Sequence, residues 1–157
     1  MSVAFRRDSD EEHLEPKFEL PIPPGPNLVT PRGLALIEGR IADLEAAAQS
    51  ASTEQLPAIQ RDLRYWRTRL ATAQLAPPAN GEIVAFGTTV TISQDGKTRN
   101  IAIIGHDEGD PAAGRIAFTA PLAVALIGGE TDEEIDAPGP GGPITIIAII
   151  AGTMPPA

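Results

Sequence analysis

Ala76-Pro77-Pro78-Ala79-Asn80-Gly81 divides the chain between two hydrophobic periods. Proline has no amide N–H and biases its predecessor toward extended backbone, so a Pro-Pro pair followed by Asn-Gly ends a helix and opens a turn. Upstream, apolar residues recur at spacings of three and four. Leu56, Ile59, Leu63, Trp66, Leu70 and Ala73 form one stripe, and Leu34, Ile37, Ile41, Leu44 and Ala48 form another. Each set falls on one face of a helix. Downstream, Ile83-Val84-Ala85-Phe86-Gly87-Thr88-Thr89-Val90-Thr91-Ile92 is rich in β-branched residues, the composition of a strand. The expectation is an α+β chain, with helices first and strands around one short helix after them.

The two stripes predict an antiparallel helical hairpin, a short coiled coil, over residues 30–75. Thr30 can serve as N-cap, with Pro31 at the first helical position, where a missing N–H costs nothing. Gln49-Ser50-Ala51-Ser52-Thr53 breaks the first stripe, and Ser52 or Thr53 can cap the second helix, with Pro57 inside its first turn. Stripes of similar length joined by a short connection bury each other best when antiparallel. About 18 residues per helix give roughly 27 Å of reach. Gly39 falls on the outer face, at a cost of about 1 kcal/mol relative to alanine.

Residues 76–81 read as a linker, and residues 82–157 as a second domain. There, Asp95-Gly96 is a strong hairpin signal, with Asn100–Ile104 as the returning strand. Gly105–Gly114 reads as a polar loop and Arg115–Phe118 as a strand. Pro121–Ile127 suits a short helix stopped by Gly128-Gly129. Glu130–Asp136 is acidic and turn-like, and Ile144–Ile150 is a final apolar strand behind a Gly/Pro turn.

Ahead of the hairpin, residues 1–29 read as a disordered tail. Asp8, Asp10, Glu11, Glu12 and Glu15 make an acidic run, and Pro21, Pro23, Pro24 and Pro26 favour extended backbone. An arm lying on a basic partner surface is the functional alternative. The net charge of -9 and pI near 4.6 oppose non-specific nucleic-acid binding and favour a protein partner. The chain has no cysteine, which excludes disulfides, thiol catalysis and thiolate metal sites. No apolar run is long enough to span a bilayer, and an acidic run, not an apolar one, follows Arg6 and Arg7.

Few residues carry chemistry. Arg61, Arg64, Arg67 and Arg69 crowd the second helix, as either a solvated face or a basic patch. Trp66 lies on the stripe and is expected in the core, with Tyr65 beside it at the junction of hairpin and domain. Glu54 is the one acid of the turn region, Ser52-Thr53-Glu54, where it reads as a capping residue near a helix N-terminus. His106, Asp107, Glu108 and Asp110 lack metal-site spacing and read as a surface loop. No nucleophile, base and acid stand in a catalytic pattern.

Three segments carry a family resemblance: Val84-Ala85-Phe86-Gly87-Thr88-Thr89-Val90-Thr91, Ile104-Gly105-His106-Asp107-Glu108-Gly109-Asp110, and Ile116-Ala117-Phe118-Thr119-Ala120-Pro121-Leu122-Ala123-Val124-Ala125-Leu126-Ile127-Gly128. With Pro140-Gly141-Gly142 before the last strand, they resemble, in order and spacing, the C-terminal domain of the GreA/GreB transcription elongation factors. Thr30-Pro31-Arg32-Gly33 stands where that family opens its coiled coil, and Arg69-Leu70-Ala71-Thr72-Ala73-Gln74 where it closes it. Residues 1–29 have no counterpart there.

The resemblance implies an FKBP-like C-terminal domain and a hairpin that enters the secondary channel of bacterial RNA polymerase. Acids at the family's hairpin tip help hold a catalytic Mg²⁺, and the polymerase then cleaves backtracked RNA. Between Glu45 and Asp62 this chain has no match to the family's Asp-Leu-x-Glu-Asn-Ala tip. Its hairpin is shorter than the family's, and each dozen residues lost over two helices removes roughly 9 Å of reach. The resemblance implies docking at the channel rim through the loop before the short helix, whose Asp-Ser-Pro in GreB is Thr119-Ala120-Pro121 here, without the charge.

The expectation is therefore a short-hairpin, Rnk-like variant: a cytoplasmic, non-enzymatic RNA polymerase-binding regulator that does not stimulate cleavage. It would contact nascent RNA indirectly and need no cofactor, metal, membrane or small-molecule substrate. Cleavage through Glu54, or a protein-interaction module such as a nucleoside diphosphate kinase regulator, are the alternatives. An FKBP-like fold does not bring isomerase chemistry with it, since fold does not give function and only Phe86 and Phe118 could line such a pocket.

Overall fold

The computed structural model describes residues 19–153, so the acidic run at Asp8–Glu15 lies outside the described residues. The described residues form two compact units: residues 19–25 with Ile37–Thr72, and Pro26–Leu36 with residues 73–153.

The first unit is helical. Helix α1 spans Pro31–Ser50, its first turn belonging to the second unit, and α2 spans Leu56–Thr72. Ile37 is fully buried, and Ile41, Leu44 and Ala48 are half-buried, whereas Gly39 on the opposite face and Arg40 at the flank are exposed. On α2, Leu63 is buried, while Leu56, Ile59 and Trp66 are only half-buried and Leu70 is exposed. Two helices can cover each other along one seam only, so bulky residues at its flank stay wet. Trp66 is thus not core as expected. It meets Tyr65 edge to face at 5.1 Å, and the Arg40 guanidinium lies 5.8 Å from its ring. Arg40–Trp66 and Glu45–Arg67 both bridge α1 and α2.

The second unit is built on a mixed five-stranded sheet. Its strands are β3 (Thr88–Gln94), β4 (Lys97–Ile104), β5 (Arg115–Ala117), β6 (Glu134–Ile135) and β7 (Ile144–Ala151), in the order β5-β4-β3-β7-β6. β4 and β5 run parallel, and the other neighbours antiparallel. Asp95 and Gly96, at φ 53° and 78°, form the predicted β3–β4 turn, in the left-handed region that Asp-Gly hairpins require. Val90, Ile92, Ile101, Ile103, Ile144 and Ile146 point to one face and close on Ala123 and Leu126 of helix α3 (Pro121–Leu126). This alternation is the period of two read from the sequence.

Three expectations are corrected. The strand predicted from Ile83 begins only at Thr88, because Gly87, at φ 86°, makes a turn in which the Thr88 N–H donates to the Ala85 carbonyl. Val84 instead exchanges backbone bonds with Gly128 and Gly129. The acidic stretch at Glu130–Asp136 contains the short edge strand β6. Asn27–Val29, expected in the irregular tail, is strand β1, parallel to β2 (Ala73–Leu75). Asn27 and Val29 are buried there, because the pairing satisfies a backbone that has no partner within its own segment.

Candidate functional site

The turn between the helices is closed by a reciprocal cap. The Gln55 N–H donates to Ser52 Oγ at 3.2 Å, and the Ser52 N–H donates to Gln55 Oε1 at 3.1 Å. This capping box satisfies orphan donors at the start of α2. It settles on Ser52 the N-cap role that the sequence left open with Thr53. Ser52, Thr53 and Glu54 are all exposed. At 20 and 17 residues, the helices extend only ~30 and ~26 Å. A hard cation such as Mg²⁺ needs several oxygens, and the tip offers one carboxylate, so the residues here do not make that site by themselves. Among the described residues, no group of three or more His, Cys, Asp or Glu side chains could hold a metal ion.

The four arginines do not share a face. Arg64 and Arg67 are exposed, and each is bound to a carboxylate: Arg64 Nε to Glu19 at 2.6 Å, and an Arg67 guanidinium nitrogen to Glu45 at 2.9 Å. Arg61 lies 3.5 Å from the Asp62 carboxylate and is mostly buried. Arg69 is buried at 2% exposure. A step of 69 minus 67 rotates the helix by roughly 200°, which turns Arg69 away from its neighbour. The basic face expected from composition is therefore reduced to Arg64 and Arg67. Tyr65 lines a small hollow with Leu20, Ile22 and Thr68 in the helical unit.

In the second unit, Thr119 and Pro121 are exposed and Ala120 is half-buried. Ala120 is the N-cap of α3, held by its N–H to the Ala117 carbonyl at 2.9 Å, while the Phe118 N–H donates to Ile104. Phe118 packs edge to face on Phe86 at 5.5 Å, which steadies the loop from below. One turn beyond, Val124 is 62% exposed and Ile127 40%. With Pro121 at the head of the same helix, they are exposed apolar side chains that the sequence did not single out, a rim that Thr119 adjoins in sequence. Helical spacing alone could have found it, since Ala123 and Leu126 face the core and leave Val124 and Ile127 outside.

Glu108 was expected on a surface loop, but it is buried at 4% exposure. His106–Glu108 forms a 3₁₀ turn that folds the side chain inward. Thr30 Oγ1 donates to Glu108 Oε1 at 2.7 Å, and the Thr30 N–H approaches Oε2 at 3.4 Å. The Gly105 N–H also donates to Oε2, at 3.2 Å, and Arg32 forms an ion pair with Oε1 at 3.7 Å. These partners compensate the burial of the charge. No local pattern announces this role, because Thr30 and Glu108 lie 78 positions apart. His106 and Asp110 are exposed, as the loop reading expects. Nearby, an open cleft of about 350 Å³ is lined by Val29, Thr30, Pro77, Pro78, Phe86 and Gly152.

Residues 79–151 match the family model for the transcription elongation factor GreA/GreB C-terminal domain. Transcription elongation factor GreA of Sphingopyxis alaskensis is 34% identical over 101 residues, covering 62% of this chain and 64% of the relative. GreA of Desulfovibrio desulfuricans is 31% identical over 105 residues, covering 64% and 65%. The chain thus spans a little under two thirds of the curated relatives it matches. Among solved structures, the GreA/GreB factor from Nitrosomonas europaea is 19% identical, with 81% of this chain and 99% of that one covered and a TM-score of 0.41. The GreA factor homolog 1 (Gfh1) of Thermus thermophilus is 16% identical, covering 80% and 99%, with a TM-score of 0.39.

Proposed function

We propose, from the premise that this chain belongs to the GreA/GreB family of transcription elongation factors, that it binds bacterial RNA polymerase and regulates elongation without stimulating transcript cleavage. The observation that carries this reading is the tip: a capping box of Ser52 and Gln55 with one exposed carboxylate, Glu54, beside it. A family docking domain joined to a hairpin that brings one carboxylate to its tip supports a factor that occupies the secondary channel without adding its chemistry.

In this reading the hairpin of α1 and α2 is the inserted part, expected over residues 30–75 but ending at Thr72 because Ala73–Leu75 is strand β2, and residues 82–157, an FKBP-like domain in the family's terms, are the anchor. Thr119, Ala120 and Pro121, with Val124 and Ile127, form the docking rim. An apolar rim of this kind suits a hydrophobic contact more than a charge pair. Arg64 and Arg67 are the exposed cations of the second helix, and meeting an acidic polymerase surface or nascent RNA would exchange their pairing with Glu19 and Glu45. The protein would act in the cytoplasm, where its partner is. Among the described residues, no helix is long and apolar enough to cross a membrane.

The test is retention of the full chain on the cognate polymerase, followed by a cleavage assay on backtracked complexes. Retention with no cleavage above background is the expected result. No retention would overturn the polymerase reading, and stimulated cleavage would overturn the inactive one.

A further inference from the structure

Helix α1 lacks the usual partner for its N-cap. In a capping box, the residue three positions after the N-cap carries a Glu or Gln that takes the N-cap's own N–H. Here that position is Gly33, whose N–H donates to Thr30 Oγ1 at 3.0 Å. The missing carboxylate arrives from Glu108. It accepts both the hydroxyl and, at 3.4 Å, the N–H of Thr30, and its Oε2 also accepts the Gly105 N–H that opens its own 3₁₀ turn. One carboxylate therefore caps two turns far apart in sequence.

Gly33 makes room for the carboxylate, and Gly105 makes room for the backbone of β1 beside it. A Cβ at Gly33 would lie 2.6 Å from Glu108 Cδ, and a Cβ at Gly105 would lie 2.6 Å from the Leu28 carbonyl oxygen. Thr30, Gly33, Gly105 and Glu108 belong to the same compact unit, so the bond lies inside it.

We infer that Glu108 is a positioning residue: it completes the α1 capping box from the strand domain and holds the first turn of the hairpin's leading helix on that domain. A local capping box would satisfy the N-cap from within α1 and would add no bond between the first turn and the strand domain, where pairing of β1 with β2 already holds the residues just before it. Taking the carboxylate from a 3₁₀ turn of the domain converts a cap into a tether. The functional half of this inference rests on the polymerase-binding reading, because a tethered root lets docking of the domain decide where the hairpin starts.

Amide hydrogen exchange on the full chain tests the tether without any partner. In Glu108→Gln, Gly33 and Leu34 should exchange about tenfold faster, as expected when a charge-assisted bond to a cap is weakened. Val90 and Ile101 should keep their wild-type rates. Thr30→Val should reproduce the effect, and the double variant should add little to it. Wild-type exchange at Gly33 and Leu34 in both variants overturns the tether, as does equal acceleration at Val90 and Ile101.

A second readout addresses function. Glu108→Gln should keep its retention on polymerase yet lose most of the effect on elongation. Retention and effect falling together would overturn the positioning role. Wild-type protein that is not retained would sink the polymerase reading alone, because the exchange result decides the tether independently.

Discussion

The Cβ position of Gly33 falls within the volume held by the Glu108 side chain, 2.6 Å from its Cδ and 2.8 Å from its Cγ. Glycine at 33 and glutamate at 108 are therefore one choice made at two places in the chain. Gly33→Ala should destabilise the fold by about 1–3 kcal/mol, as overpacking does, despite the better helix propensity of alanine. Urea unfolding checks this; a midpoint at or above wild type would show that the carboxylate can move aside.

The tip cap makes a separate prediction. Ser52→Ala removes the hydroxyl that accepts the Gln55 N–H, and the expected loss is about 1 kcal/mol. Thermal unfolding followed by circular dichroism would register it as a lower Tm. No change would mean that water replaces the cap at no cost.

Glu54 lies exposed beside that cap. Glu54→Ala should change stability by no more than about 0.5 kcal/mol, as at most surface positions. It should also leave the behaviour of backtracked complexes unchanged. A wild-type cleavage rate that disappears in this variant would restore Glu54 to a chemical role.

Arg67 and Glu45 meet at 2.9 Å, with side chains 55% and 53% exposed. Solvent screens such a pair, so a double-mutant cycle should give a coupling of about 0.2–1 kcal/mol that shrinks with added salt. A salt-insensitive coupling well above this would mean that the pair is shielded from water.

Val124 stands 62% exposed on α3 while its neighbour Ala123 is fully buried. Val124→Asp should leave the unfolding midpoint close to wild type and weaken retention on polymerase by about tenfold or more, the effect expected of a central interface residue. Undiminished retention would move the docking surface elsewhere.

Most of the architecture was legible because it follows from local rules. The stripe from Leu34 to Ala48 marks the less exposed side of α1, the Asp95-Gly96 turn and Pro121 at the head of α3 stand where their backbone preferences put them, and Val90 and Ile92 face the core by the period of two. The late start of the strand at Thr88 is a local miss, set by the turn at Gly87, and the other misses are non-local. Trp66 has the right phase for burial, but a two-helix seam leaves it half-covered. β1 is a strand only because Ala73–Leu75 lies beside it. Arg69 shares a segment with Arg64 and Arg67 but not their exposure.

By itself, the sequence determined the two periods, the break at Ala76–Gly81, the Asp95-Gly96 turn, and the poverty of acid between Glu45 and Asp62, since each depends on residues within a few positions of one another. Only the tertiary structure decided that Glu108 is a buried cap and not a loop acid, and that Gly33 exists to admit it. A carboxylate's role depends on which donors surround it, and here the Thr30 donors come from the far end of the described chain. Side-chain periodicity cannot express such a contact, because it is made between segments and not along one.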